Sequence, residues 1–397
     1  MTPRNVGQRV ASLDVLRGIA ILLVLGYHAP ATPEGAASHA LIAVWKRCGW
    51  AGVDLFFALS GFLIMGLLLA ERERTGAIDV KAFLMRRLFK IYPPYIAFVT
   101  VVLAWDYHYA QGLPFERLTS AAKGLWPVAA QLQNFVPIRT APHLWSLAME
   151  EHCYALLLAL AVFQASRRSE PRFSLIVPTA VAGLFTASWL ARWAHVIWSY
   201  PGTGSIGLTY TQHRIDAVLA GALAAWLVRT RHGATLSTRA RAALAGIAIA
   251  CFLPTLSFEP YDYRVLFLIF VLPLQAIGFG CLLVAIGASS ALAGHTTVEM
   301  SRGISAPLRL LAFVGVTSYS TYLWHMPFAD VLVRLAPVAL LPAGGAMKIW
   351  AAYLICALVM GALMFWLIER PAQGWRRRWQ TAHDAQAQRR WTPAEVA

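Results

Sequence analysis

Arg17 and His28 are the polar intruders in LDVLRGIAILLVLGYHA, residues 13–29. Eleven steps of about 100° return them to within about 20° of one helical face. At 1.5 Å per residue they stand about 16 Å apart, roughly half the thickness of a bilayer's hydrocarbon core. An arginine fork can hold an anion, and a neutral imidazole can take a proton near pH 7. The pair reads as two levels of one polar path. His28 alone would also suit a helix-capping histidine at the membrane surface.

Other apolar runs carry similar intruders. GVDLFFALSGFLI (52–64) holds Asp54, HLWSLAMEEHCY (143–154) holds Glu150 and Glu151, and TSYSTYLWHMPF (317–328) holds His325. Charge at membrane depth is costly, so each group needs a reason. Asp54 could be an N-cap, and Pro327 after His325 could simply kink a helix. Two successive glutamates point about 100° apart, so one can face a site while the other pairs elsewhere. MRRLFKIYPPY (85–95) adds Arg86, Arg87 and Lys90. These three suit phosphate capture, and equally well serve as topogenic charge.

The elements that must position these groups are transmembrane helices. The chain has 397 residues, 58% of them hydrophobic and 13% charged, about half the charged share of a soluble domain. Ten apolar segments, near 13–29, 51–70, 91–107, 144–164, 173–198, 213–229, 240–257, 264–286, 309–335 and 347–369, are long enough to span. Lys and Arg fall 23 to 7 on alternate connectors, with Arg17, Arg192, Arg214 and Arg334 inside the segments. The positive-inside rule then places both termini in the cytoplasm. The fold class expected is an all-α polytopic membrane protein of about ten transmembrane helices. A cytoplasmic segment (1–12) precedes the membrane domain (13–373), and a basic, partly disordered tail (374–397) follows it. With that topology His28, Asp54, Glu150, Glu151 and His325 are expected to gather at similar depth in the outer half.

Several classes are set aside. The net charge of +15 is spread over helix ends rather than gathered in a patch, so nucleic acid is not an expected partner. Five cysteines without a C-x-x-C pair read as small buried hydrophobes, and no metal site is expected. Arg4 and Arg9, an apolar run and Ala29-Pro30-Ala31 imitate a secretory signal, but proline at the cleavage position argues against one. The long connection 108–143 is a candidate functional loop or an interfacial segment anchored by Trp126.

Together these motifs resemble the acyltransferase-3 family of integral membrane acyltransferases. The resemblance rests on Arg17-x10-His28, GVDLFFALSGFLI, RRLFKIYPPY, LQNF (132–135) leading into HLWSLAMEEHCY, TSYSTYLWHMPF and ERPAQ (369–373), in family order. Lys90 stands where arginine is usual, and Cys153 where an aromatic is common. Some members carry a fused esterase-like domain; the expectation here is a stand-alone membrane domain.

The resemblance implies transfer of an acyl group, acetyl first, from cytoplasmic acyl-CoA to a hydroxyl of a cell-surface or lipid-linked glycan such as O-antigen or exopolysaccharide. Acetyl-CoA is then a donor substrate, membrane lipid the surroundings and the bacterial inner membrane the site. Arg17, Arg86, Arg87 and Lys90 would hold the donor's phosphates. His28 would be the general base, oriented by Asp54 first and by Glu150 or Glu151 next, with His325 a second base. Ser60, Tyr319 or Tyr322 would donate to the oxyanion. A transporter of a lipid-linked or anionic solute would also need charges at the midplane, but the chain shows no internal repeat.

Overall fold

A bilayer core offers no water to backbone N–H and C=O groups, so segments that cross it must close their hydrogen bonds internally. The structure, a computed structural model, describes residues 11–30, 37–109, 114–136, 138, 141–166, 175–199, 207–229, 236–258, 264–287, 305–335 and 345–391. Among these residues there are helices and no strand. They are α1 (Ala11–His28), α2 (Ala37–Cys48), α3 (Ala51–Thr75), α4 (Val80–Tyr109), α5 (Pro114–Ala129), α6 (Trp145–Ser166), α7 (Ile176–Ser199), α8 (Asp216–Arg229), α9 (Thr238–Phe252), α10 (Leu272–Gly287), α11 (Ala306–Val316), α12 (Ser318–Leu335), α13 (Gly345–Met364) and α14 (Arg370–Trp391). Each apolar segment of the sequence falls on one or two of them. Among the described residues, six helical stretches are long and apolar enough to cross a membrane.

α3 is the central helix, and its pairing with α8 sets the direction of the bundle. Asp54 meets Arg214, just before α8, at 2.8 Å. Seven residues on, Gly61 faces Gly221, and at the far ends Glu73 pairs with Arg229. Three contacts in register make the two helices parallel. The crossing needs glycine: a Cβ on Gly61 would lie 2.0 Å from the Val218 carbonyl oxygen, and one on Gly221 1.9 Å from that of Ala58. Small residues at such crossings let membrane helices pack backbone to backbone. α1 likewise runs parallel to α11 and α12, with Gly315 against Asp14 at one end and His325 against His28 at the other.

Prolines break this regularity and leave carbonyls without an amide donor four residues on. Pro327 frees Leu323 O, which accepts from His143 Nε2 at 3.1 Å. Pro273 frees Ile269 O, which accepts from Trp189 Nε1 at 3.0 Å. A π-helical turn, Phe267–Val271, absorbs the extra residue there.

Two elements go beyond the sequence reading and one corrects it. The connectors 30–50 and 108–143 contain α2 and α5, whose apolar and polar faces are clearly separated. The segment after Gln373 is helical through Trp391 rather than partly disordered. Its alanines, glutamines and arginines favour helix, and no proline follows Pro371 until Pro393.

The α3–α8 crossing makes a stability prediction. Gly61→Val should destabilise the protein by about 1–3 kcal/mol through overpacking. Gly124→Val, where a Cβ meets nothing within 4 Å, serves as the control. Thermal unfolding of the two variants in the same detergent checks the difference.

Candidate active site

The C-terminus of α1, the N-termini of α3 and α6 and the approach to α8 lie at one end of the bundle. Three imidazoles meet there: His28 on α1, His325 on α12, and His143 in the 3-10 turn Pro142–Leu144. Ring centroids are 5.0 Å apart for His28–His325 and 5.0 Å for His143–His325.

Carbonyl partners decide the tautomers, because a carbonyl can only accept. His325 Nδ1 lies 2.6 Å from Tyr322 O, so Nδ1 carries the proton and Nε2 of the neutral ring accepts. That Nε2 faces His28 Nδ1 at 3.3 Å, and Val24 O faces the same Nδ1 at 3.1 Å. His28 Nδ1–H therefore donates to both. His28 Nε2 is left with a lone pair, the state a general base requires. Lys46 of α2 donates to Ala29 O at 3.1 Å and brings its charge close to His28.

The acids have other partners. Asp54 is bonded to Arg214 rather than acting as the N-cap or as the orienter of His28; the residue before α3 is Trp50, with no side-chain cap. A second buried pair, Arg192–Asp216 at 2.8 Å, lies within electrostatic reach of the first. Breaking such a pair by removing one partner costs about 3–5 kcal/mol. Asp54 and Arg214 are therefore strong structural groups.

Glu150 belongs to the other level of the bundle. Its carboxylate accepts from Ser60 Oγ at 3.0 Å and from Tyr154 OH at 2.8 Å. The charges that reach it are those of Lys90 and Arg87. Lys90 in turn lies within electrostatic reach of Arg17, Arg87, Glu150 and Glu369. Glu369, of the ERPAQ motif, is held by Ser320 Oγ at 2.8 Å and Gln373 Nε2 at 3.0 Å. Glu151 is half-buried and makes no hydrogen bond or ion pair among the described residues. The expected gathering is thus divided: His28, His325 and Asp54 share one end of the bundle, and Glu150 joins the cations.

The four expected cations differ in commitment. Arg86 is bonded to Glu71 at 3.0 Å and Arg17 to Asp14 at 2.9 Å. Arg87 stacks over Tyr154 at 4.8 Å and Phe83 at 5.6 Å. Neither Arg87 nor Lys90 has a hydrogen bond or ion pair among the described residues.

The oxyanion candidates are spoken for. Ser60 donates to Glu150, Tyr319 to Ile91 O at 2.9 Å, and Tyr322 to His143 O at 2.9 Å. Sequence reasoning missed His143, Lys46 and Arg214. A proline four residues beyond Leu323 was the available signal for His143, since a freed carbonyl at membrane depth must find a donor.

The comparisons with known proteins identify the family. The family model described as an acyltransferase domain matches residues 10–370. The chain is 29% identical over 391 residues to the peptidoglycan O-acetyltransferase OatA of Listeria monocytogenes, covering 93% of this chain and 57% of that protein. It is 28% identical over 333 residues to the O-acetyltransferase OatA of Staphylococcus aureus, covering 79% and 50%. The putative peptidoglycan O-acetyltransferase YrhL of Bacillus subtilis is 25% identical over 390 residues, covering 92% and 56%. The chain spans about half the length of these curated relatives, and no solved structure matches it. A multi-pass membrane chain matched over residues 10–370, it belongs to the acyltransferase-3 family that its motifs resemble.

Proposed function

We propose that this protein moves an acyl group, most simply acetyl, from cytoplasmic acyl-CoA to a hydroxyl of a cell-surface glycan. Both termini then lie in the cytoplasm. The end of the bundle with Arg17, Arg87 and Lys90 faces inward and the histidine end outward. The observation that carries the reading is the unprotonated Nε2 of His28, held in that tautomer by Val24 O and His325 Nε2.

Arg87 and Lys90 bind the donor's phosphates, and Arg17 extends their field along α1. The thioester arm reaches along the polar stripe toward His28. There the acceptor hydroxyl gives its proton to His28 Nε2 as its oxygen attacks the thioester carbonyl. The tetrahedral intermediate collapses by breaking the carbon–sulfur bond, and the departing thiolate recovers the proton from Nε2. The Lys46 ammonium stabilises the negative oxygen between the two steps. His325 is a positioning residue that fixes the imidazole by accepting from Nδ1–H.

Three outcomes test the scheme. Ester-linked acyl groups on surface glycans, measured by mass spectrometry, should vanish in a strain lacking the gene. They should return with the wild type but not with His28→Ala at equal membrane level; an unchanged profile in the deletion strain overturns the reading. Lys90→Ala should raise the KM for acyl-CoA about tenfold, with a smaller effect on turnover. His325→Leu should lower kcat about 10²-fold, in line with loss of general-base positioning, and leave donor KM in place. His325→Gln, whose amide oxygen still accepts a hydrogen bond, should recover much of that loss.

A further inference from the structure

A second polar and aromatic cluster lies at the histidine end and takes no part in the scheme above. The turn after α5 holds Gln131 at φ 55°, a left-handed conformation uncommon for a residue with a side chain. It presents Asn134 and Phe135. Phe135 is 36% exposed, stacks on His152 with centroids 6.1 Å apart, and tilts against Tyr210 at 5.3 Å. His195 sets its edge against Tyr210 at 6.0 Å.

Polar atoms around these rings are fixed but incompletely used. Thr211 Oγ1 accepts from Asn134 Nδ2 at 2.8 Å and contacts His152 Nδ1 at 2.8 Å. Thr209 Oγ1 donates to Asn134 O at 2.7 Å. Asn134 is fully buried, yet its Oδ1 has no partner among the described residues; nor have Gln131 Oε1 and His195 Nε2. Unpaired buried acceptors cost desolvation energy until a donor arrives. Acceptor oxygens beside an exposed ring match a pyranose. Its hydroxyl or acetamido N–H groups donate, and its C–H face covers the aromatic surface. The turn is also joined to the reacting end: Gln133 Nε2 donates to Leu144 O at 3.1 Å, next to His143.

We infer that Asn134 and Phe135, with His152, His195 and Tyr210, seat a sugar ring of the acceptor. This deepens the proposed function and rests on it for the identity of the ligand as substrate. The seat lies on the continuation of the chain that delivers His143, so a glycan bound there can extend toward His28.

The test uses the full chain in lipid nanodiscs and two probes, a tetrasaccharide of β-1,4-linked N-acetylglucosamine and one of α-1,4-linked glucose. Binding is read by saturation-transfer NMR. At least one probe should bind the wild type, weaken at least tenfold in Phe135→Ala and Asn134→Leu, and recover in Phe135→Trp. Binding of neither probe to the wild type, or undiminished binding to both weakened variants, overturns the seat. Acyl transfer from labelled acyl-CoA is measured separately. Binding without ester formation keeps the seat and removes the proposed reaction. Ester formation with an unaltered acceptor KM in Phe135→Ala keeps the reaction and removes the seat.

Discussion

The carbonyl of Leu323 has no amide to bond, because Pro327 occupies the position that would supply one, and the imidazole of His143 takes the amide's place. Inside a membrane this is close to obligatory, since water cannot serve an orphaned carbonyl. Much of the histidine end follows from it. His143 is drawn against α12, its 3-10 turn is held there, and Tyr322 closes the contact by donating to His143 O. The connection from α5 is thereby pulled across the end of the bundle. Trp189 and Ile269 repeat the device between α7 and the π-turn before α10.

Charge obeys the same constraint with a different result. Asp54, Arg192, Arg214 and Asp216 are almost wholly buried and resolve into two close pairs. With Glu73–Arg229 they clamp α8 to α3 along most of its length and to α7 at its start. Arg87 and Lys90 escape that settlement: Glu150, the carboxylate within reach of both, takes its hydrogen bonds from Ser60 and Tyr154. A neutral pair of hydroxyl donors satisfies the acid and leaves the cations their donors. An anion-binding site needs positive groups that the fold itself has not consumed.

Apolar length and the spacing of intruding polar residues were enough to read the helices and to place Arg17 and His28 on one stripe. The parallel runs of α3 with α8 and of α1 with α12 have the alternation expected from the basic connectors. Partners were not legible. Asp54 looked available to His28 because both lie near the same end of adjacent helices. Yet Arg214, counted only as a charge inside an apolar segment, claims it at 2.8 Å. Depth along a helix can be counted from sequence, whereas azimuth around a bundle depends on crossings such as Gly61–Gly221 that no period reveals. Glu150 shows the difference most plainly. Its depth was estimated from the start of α6, but its rotation turns it toward Ser60 and the cations.

A rigid helix carrying both Arg17 and His28 also answers why the two levels are separate. Phosphates and an attacking hydroxyl cannot share one small site without bringing the donor's negative charge to the place where an oxyanion must form. In the proposed reaction, about 16 Å of helix between them, at 1.5 Å per residue, would keep the anionic end of a donor among Arg87 and Lys90. At the end bearing the histidines, the Asp54–Arg214 charges are paired with each other, and Lys46 is the cation that reaches His28. In the same proposal a histidine, rather than a carboxylate, orients His28. A carboxylate at that depth would need its own cation, as Asp54 does, whereas His325 is satisfied by a backbone carbonyl on one side and by His28 on the other. The imidazole is fixed without adding net charge inside the membrane.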